Sequence, residues 1–171
     1  MPVSSRTRKT PTETLPELGD VLEFMRVIWQ LDHALQRTSK VMEKSLGMTG
    51  PQRLVIRIVG RFPEIPAGQL AKLLHLHPST ITGVLKRLEE QGLLHRSVDT
   101  QDARRSLLRL TDRGRIFDVA AAGTVEACVA KALKSARPGQ SWAAKELLVG
   151  IAERLTASCE SPVALVKRRR R

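Results

Sequence analysis

The residues from 66 to 91 constrain this chain most, because two helical periodicities meet there with almost no chain between them. Pro66 opens a short run with Leu70, Leu73 and Leu74 on one side. Leu76-His77 leaves room only for a tight turn. From Pro78 the pattern restarts: Ile81, Val84, Leu85 and Leu88 fall at i, i+3, i+4 and i+7, one narrow apolar stripe. Pro78 suits a first helical position, where its missing N–H has no intrahelical partner to lose, and Gly92 is a natural stop. His77 falls at the N-cap, where Ser or Asp would be the better residue.

The face of this second helix away from the stripe carries Ser79, Thr82, Gly83 and Lys86, with Thr80 near its start and Arg87 on its flank. Short hydroxyls, one bare backbone position and long cations suit close approach to a polyanion. Two short helices joined by a tight turn, the second with a small polar outer face, predict a helix-turn-helix. Residues 93–98 and 106–110 then read as strands, the second alternating as Leu108-Arg109-Leu110. The polar segment between them, DTQDARR, makes the pair a β-hairpin, and beside a helix-turn-helix such a hairpin is a wing. Arg104 and Arg105 at its tip fit a narrow minor groove, and Asp102 is placed to orient the Arg104 guanidinium.

The flanks are helical. Residues 18–46 carry Phe24, Ile28, Leu31, Leu35 and Met42 in one stripe, widened by Val21, Met25 and Trp29. Thr49 and Gln52 read as a capping box opening a helix to about Arg61, ended by Phe62-Pro63. Thr111 to Gly114 opens one long helix running to about Ser135, with Ile116, Val119, Ala120, Gly123, Ala127 and Ala130 along a small-residue face. Pro138-Gly139 breaks it, and residues 141–158 form a last helix with Trp142, Leu147, Leu148, Ile151 and Leu155 apolar. So much apolar surface on terminal helices exceeds what one winged unit can bury, which predicts an isologous homodimer. The expected fold is mostly α with a small β-wing, a winged helix-turn-helix with long N- and C-terminal dimerisation helices. The expected divisions are a basic disordered arm at 1–16, a dimerisation helix at 17–46, a winged unit at 47–112, C-terminal dimerisation helices at 113–160 and a basic tail at 161–171.

Charge agrees with a polyanionic partner: the net charge is +12 over 171 residues. The termini carry much of it, through Arg6, Arg8 and Lys9 at one end and the five cations of residues 167–171 at the other. Aromatic residues are only 3%, too few for the stacking platforms that bind single strands. Two cysteines exclude a disulfide framework, and the lack of a long apolar run or signal segment points to the cytoplasm. No phosphate loop, nucleophile elbow or paired carboxylates point to an enzyme or to a cofactor. A metal site would have to use His75, His77 and His95, which have no carboxylate or cysteine at ligand spacing, so none is expected. Cys128, among Ala and Val, and Cys159, near a helix end, read as inert thiols. A redox-responsive regulator and a ligand-independent architectural DNA protein are the alternatives.

The chain resembles the MarR family of transcriptional regulators over roughly residues 18–158. The resemblance is carried by Leu46-Gly47-Met48-Thr49 with Gln52, by residues 69–74 (QLAKLL), and by residues 78–82 (PSTIT) with 88–93 (LEEQGL). It is most specific in the wing, where Asp99-x-x-Asp102-x-Arg104 is followed by Leu108-x-Leu110-Thr111-x-x-Gly114. His77 stands where the family usually has Ser or Thr, and Thr100 where the wing often has Pro. The resemblance implies a homodimeric repressor on a pseudo-palindromic operator in duplex DNA. Residues 78–87 of each copy would enter a major groove, with Arg104 in the flanking minor groove. It also implies release by a small aromatic carboxylate or phenolic effector between the dimer helices and the winged unit. Candidates for that pocket are Arg26, Trp29 and His33 on the first helix and Arg53 and Arg57 on the second.

Overall fold

The computed structural model describes residues 17–159 and divides into two compact units, 1–50 and 51–171. The expected arm at 1–16 and tail at 161–171 lie outside the described residues. In the first unit, α1 (Gly19–Leu46) ends at Gly47, whose φ of 70° is a left-handed stop that glycine adopts without strain. The Ser39 hydroxyl then accepts the Gly50 N–H at 2.8 Å, fixing the bend after the helix.

The second unit follows from α2 (Gly50–Arg61), through β1 (Ile65–Pro66), α3 (Ala67–Leu73), α4 (Pro78–Glu90), β2 (Leu94–Val98), β3 (Ser106–Leu110) and α5 (Asp112–Phe117), to α6 (Val125–Ser135) and α7 (Gln140–Ser158). The three strands form one antiparallel sheet in the order β1-β3-β2, with Ile65 opposite Leu108 and Leu94 opposite Leu110. The two-residue β1 escapes the sequence reading because it is too short to show alternation. Val55, Ile56, Val59, Leu70, Ile81, Leu85, Leu88, Leu93, Leu108 and Leu110 are buried, so the inner stripes of α2, α3 and α4 and one face of the sheet make the core of this unit.

The single long helix expected between Gly114 and Ser135 is corrected: it is two helices, α5 and α6, interrupted over residues 118–124. The cause lies on α2. Arg53, 2% exposed, donates from Nη1 to the Phe117 carbonyl at 3.1 Å and from Nη2 to the Val119 carbonyl at 2.7 Å, and its Nε pairs with Glu126. Those two carbonyls would otherwise accept helical N–H groups four residues on. Arg57 pairs with Asp118 at 2.6 Å, and Asp118 lies where a side chain at Gly60 would collide with it. Gly123 takes φ 76°, and the buried Thr124 restarts the helix by accepting the Ala127 N–H at 3.3 Å.

Apolar exposure is concentrated on three helices. Neither α6 nor α7 has a buried residue, and Trp142, Leu147, Leu148 and Leu155 of α7 are all exposed. On α1 only Met42 is buried, while Val21, Leu22, Trp29, Leu31 and Leu35 stand open. Among the described residues no helix is long and apolar enough to cross a membrane.

Candidate nucleic-acid interface

The turn between α3 and α4 is closed by backbone bonds: Leu74 N–H reaches the Leu70 carbonyl at 3.0 Å and Leu76 N–H reaches Ala71 at 3.1 Å. His75 takes φ 50° there, a left-handed conformation that His tolerates better than most side chains. His77 then does what its residue type makes unexpected. Its Nδ1 accepts the Ser79 N–H at 3.3 Å and lies 2.8 Å from the Ser79 hydroxyl, so the imidazole caps α4 in place of a Ser or Thr hydroxyl.

Ile81, Leu85 and Leu88 anchor α4 in the core, which turns the other side outward. Ser79, Thr80, Thr82, Gly83, Lys86 and Arg87 are all exposed, and Pro78 is the first helical residue. Lys86 lies 3.8 Å from Glu90, a loose exposed pair of little energetic weight. Behind α4, Arg96 of β2 pairs with Glu89 at 3.1 Å and ties the helix to the wing.

The wing loop is organised by two aspartates. Asp99 accepts the Gln101 N–H at 2.8 Å, and the Asp99 N–H donates to the Arg105 carbonyl at 3.0 Å. Asp102 accepts the Arg104 N–H at 3.0 Å, while its carboxylate pairs with Arg105 at 3.4 Å. The expectation that Asp102 orients the Arg104 guanidinium is therefore corrected. An aspartate two residues upstream is within reach of the backbone N–H, and the next side chain along takes the charge. The Arg104 guanidinium is exposed and has no hydrogen bond or ion pair among the described residues.

The far end of the wing is anchored by Thr111 and Gly114. The Thr111 hydroxyl accepts the Gly114 N–H at 2.9 Å and donates to the Gly92 carbonyl at 2.7 Å. Gly114 packs so closely on the α4–β2 turn that a Cβ there would lie 1.9 Å from the Leu93 carbonyl oxygen.

The candidate effector residues are less uniform. Arg53 is buried with three partners, and Arg57 is held by Asp118. On α1, Arg26 donates to Glu23 at 3.0 Å, and that hydrogen bond holds the exposed Glu23 carboxyl below its ordinary value. Trp29 is 61% exposed. His33 lines a shallow depression of about 300 Å3 with Gln36, Arg37, Lys40, Val41 and Lys44. Cys128 and Cys159 are both exposed, and among the described residues no cluster of His, Cys, Asp or Glu suits a metal ion.

A short helix, a closed turn, a capped helix with its polar side outward and a cation-tipped hairpin on one small sheet define the winged helix-turn-helix class of duplex-DNA-binding proteins. The MarR family profile matches residues 48–106. An organic hydroperoxide resistance transcriptional regulator of Bacillus subtilis is 30% identical over 102 residues, 56% of this chain and 69% of that one. An HTH-type transcriptional repressor of Mycobacterium tuberculosis is 28% identical over 131 residues, 77% of this chain and 94% of that one. The crystal structure of the PcaV transcriptional regulator from Streptomyces coelicolor, in complex with its natural ligand, superposes with a TM-score of 0.65 at 25% identity. It covers 81% of this chain and 98% of that one. The chain belongs to the MarR family. It is a DNA-binding transcriptional regulator, and the proteins it matches are regulators, not enzymes.

Proposed function

We propose that this regulator is a cytoplasmic homodimeric repressor that places α4 in a major groove and the Arg104 side chain in the adjoining minor groove, and leaves the operator when a small anionic ligand binds. The observation that carries the dimer is the apolar exposure of α1, α6 and α7. Trp29 with the leucines of α1, and separately Trp142 with the leucines of α7, are exposed apolar faces that water does not favour, and a second copy covers such faces symmetrically. The outward polar face of α4 and the Arg104 guanidinium, unengaged among the described residues, support the DNA reading, one being suited to base edges and phosphates, the other to narrow-groove potential. The repressor role is supported by the Mycobacterium relative, itself a repressor.

For the effector, Arg53 and Arg57 already hold internal carboxylates, so a ligand carboxylate would have to displace Glu126 or Asp118 to use them. Trp29 with His33, beside the cations of the α1 depression, offers an aromatic surface and donors that are open. An aromatic carboxylate or phenol fits that combination, and PcaV, a structural relative, was solved with its natural ligand. The test joins three measurements on the purified chain: sedimentation, a gel shift with duplex from upstream of its own gene, and thermal shift with a panel of aromatic acids. A dimer that retards the duplex, and a panel member that both raises Tm and frees the DNA, is the expected result. A monomer, or no stabilisation and no release across the panel, contradicts it.

A second reading, redox response, rests on the exposure of both thiols and on the Bacillus relative's role in hydroperoxide resistance. Loss of operator binding after mild peroxide, restored by thiol and absent in Cys128→Ser, would favour it.

A further inference from the structure

We propose that Gly83 sets how deeply α4 enters the groove, making it a determinant of operator specificity through the absence of a side chain. This rests on the reading of α4 as the element that docks on duplex DNA. Along α4 the buried stripe is Ile81, Leu85 and Leu88. At helical spacing Gly83 falls on the opposite side, between Ser79 one turn before and Arg87 one turn after, at the crest of the exposed face. It is the only residue of that crest with no side chain.

A glycine at this place is unfavourable for the free protein. Glycine loses more conformational freedom on folding than any other residue and ranks near the bottom for helix interiors. At Gly114 and Gly60 the fold supplies a reason, since an added Cβ would come within 1.9 Å of Leu93 or Asp118. At Gly83 it supplies none: an added Cβ meets nothing within 4 Å, and Gly83 is not among the glycines with positive φ. Neither packing nor a turn calls for it; Gly68 of α3 is open in the same way, but Gly83 lies at the crest of the exposed face, where a body outside the protein gains from the space.

That body is the floor of the major groove. The groove is ~12 Å wide, close to the ~10–12 Å diameter of a helix with its side chains, so clearance at the crest decides how near the helix axis can come. Omitting one Cβ gains about the length of a carbon–carbon bond, ~1.5 Å. A shift of that size separates a hydrogen bond from no bond for the hydroxyls of Ser79 and Thr80 on either flank. Phosphate contacts, made at the groove's rims by long flexible cations, tolerate the same shift. The cost of a side chain at residue 83 therefore falls on sequence discrimination and spares general affinity.

The test is Gly83→Ala, measured on a duplex enriched from a random pool by the wild-type protein and on an unselected duplex of equal length. At fixed protein concentration the substitution raises Tm by about 1–4 °C, because alanine favours the helix. Affinity for the enriched duplex falls by about tenfold or more, while affinity for the unselected duplex stays within about twofold. Lys86→Ala serves as the reference, weakening both duplexes alike. A Gly83→Ala protein with an unchanged ratio of the two affinities overturns the proposal. If Lys86→Ala still weakens both, only the depth role of Gly83 falls. If Lys86→Ala and Gly83→Ala are both without effect, the docking of α4 falls with it.

Discussion

Asp102 accepts the backbone N–H of Arg104 at 3.0 Å, so the aspartate fixes the wing's backbone and leaves the arginine's charge unspent. Its carboxylate charge goes to Arg105 instead. Asp102→Ala should therefore act on DNA binding indirectly, by loosening the turn that presents Arg104. We expect a loss of about three- to tenfold in operator affinity, with Tm lowered by no more than a few degrees. An equal loss in Asp102→Asn, which keeps an acceptor for the N–H, would show instead that charge on Arg105 is what counts.

Among the described residues Arg53 is the largest fully buried side chain, and it holds the end of α5, the loop after it and the first turn of α6 to α2. Removing it leaves two carbonyls and the partly exposed Glu126 carboxylate without their donor. Arg53→Met should cost about 1–3 kcal/mol in urea unfolding, since water reaches Glu126 and only the carbonyl partners are left short of a hydrogen bond. The exposed pair Arg115–Asp112 provides the contrast, with a cost below about 1 kcal/mol for Arg115→Ala.

The cap supplied by His77 allows a cleaner comparison. His77→Ala should lower stability by about 1 kcal/mol, seen as a fall of ~2–4 °C in Tm, through loss of the acceptor for Ser79 N–H. His77→Ser should hold or raise Tm, because a hydroxyl is the better-suited cap. A His77→Ala protein as stable as wild type would mean the imidazole contributes nothing at that position.

Gly114 meets the Leu93 carbonyl too closely for any side chain. Gly114→Ala should either unfold the wing end of the domain or cost more than about 2 kcal/mol, since backbone must move to admit the methyl. Circular dichroism and urea titration read this directly. An alanine variant with unchanged midpoint would contradict the close approach.

The helix-turn-helix was legible because its evidence is periodic and local: Ile81, Leu85 and Leu88 repeat at helical spacing and are the residues found buried. The wing was legible for a related reason, two strand runs around a polar turn, and its strands begin and end within a residue of expectation. The division of α5 from α6 was not, because its cause is a buried arginine 64 residues away reaching the Phe117 carbonyl. The run Val119 to Ala122 by itself favours helix, and only Gly123-Thr124, a left-handed residue followed by a cap, hinted at the restart. Arg53 was misleading for the same reason. In sequence it is a cation on an amphipathic helix, suited to a ligand carboxylate, and only the fold shows that Glu126 has taken that place. Asp102 illustrates a smaller failure, since spacing alone cannot tell a backbone acceptor from a side-chain partner.

The most direct measurement is the salt dependence of duplex binding, by fluorescence anisotropy from about 50 to 200 mM salt, for wild type and Arg104→Ala. With α4 on phosphates and Arg104 in the minor groove, log affinity should fall linearly with log salt, by ~0.9 per phosphate neutralised. Arg104→Ala should flatten that slope by about 1 and weaken binding more than tenfold, while sedimentation still shows a dimer. Binding that ignores salt, or an Arg104→Ala protein with the wild-type slope and affinity, would contradict the placement of the recognition helix and its wing on DNA.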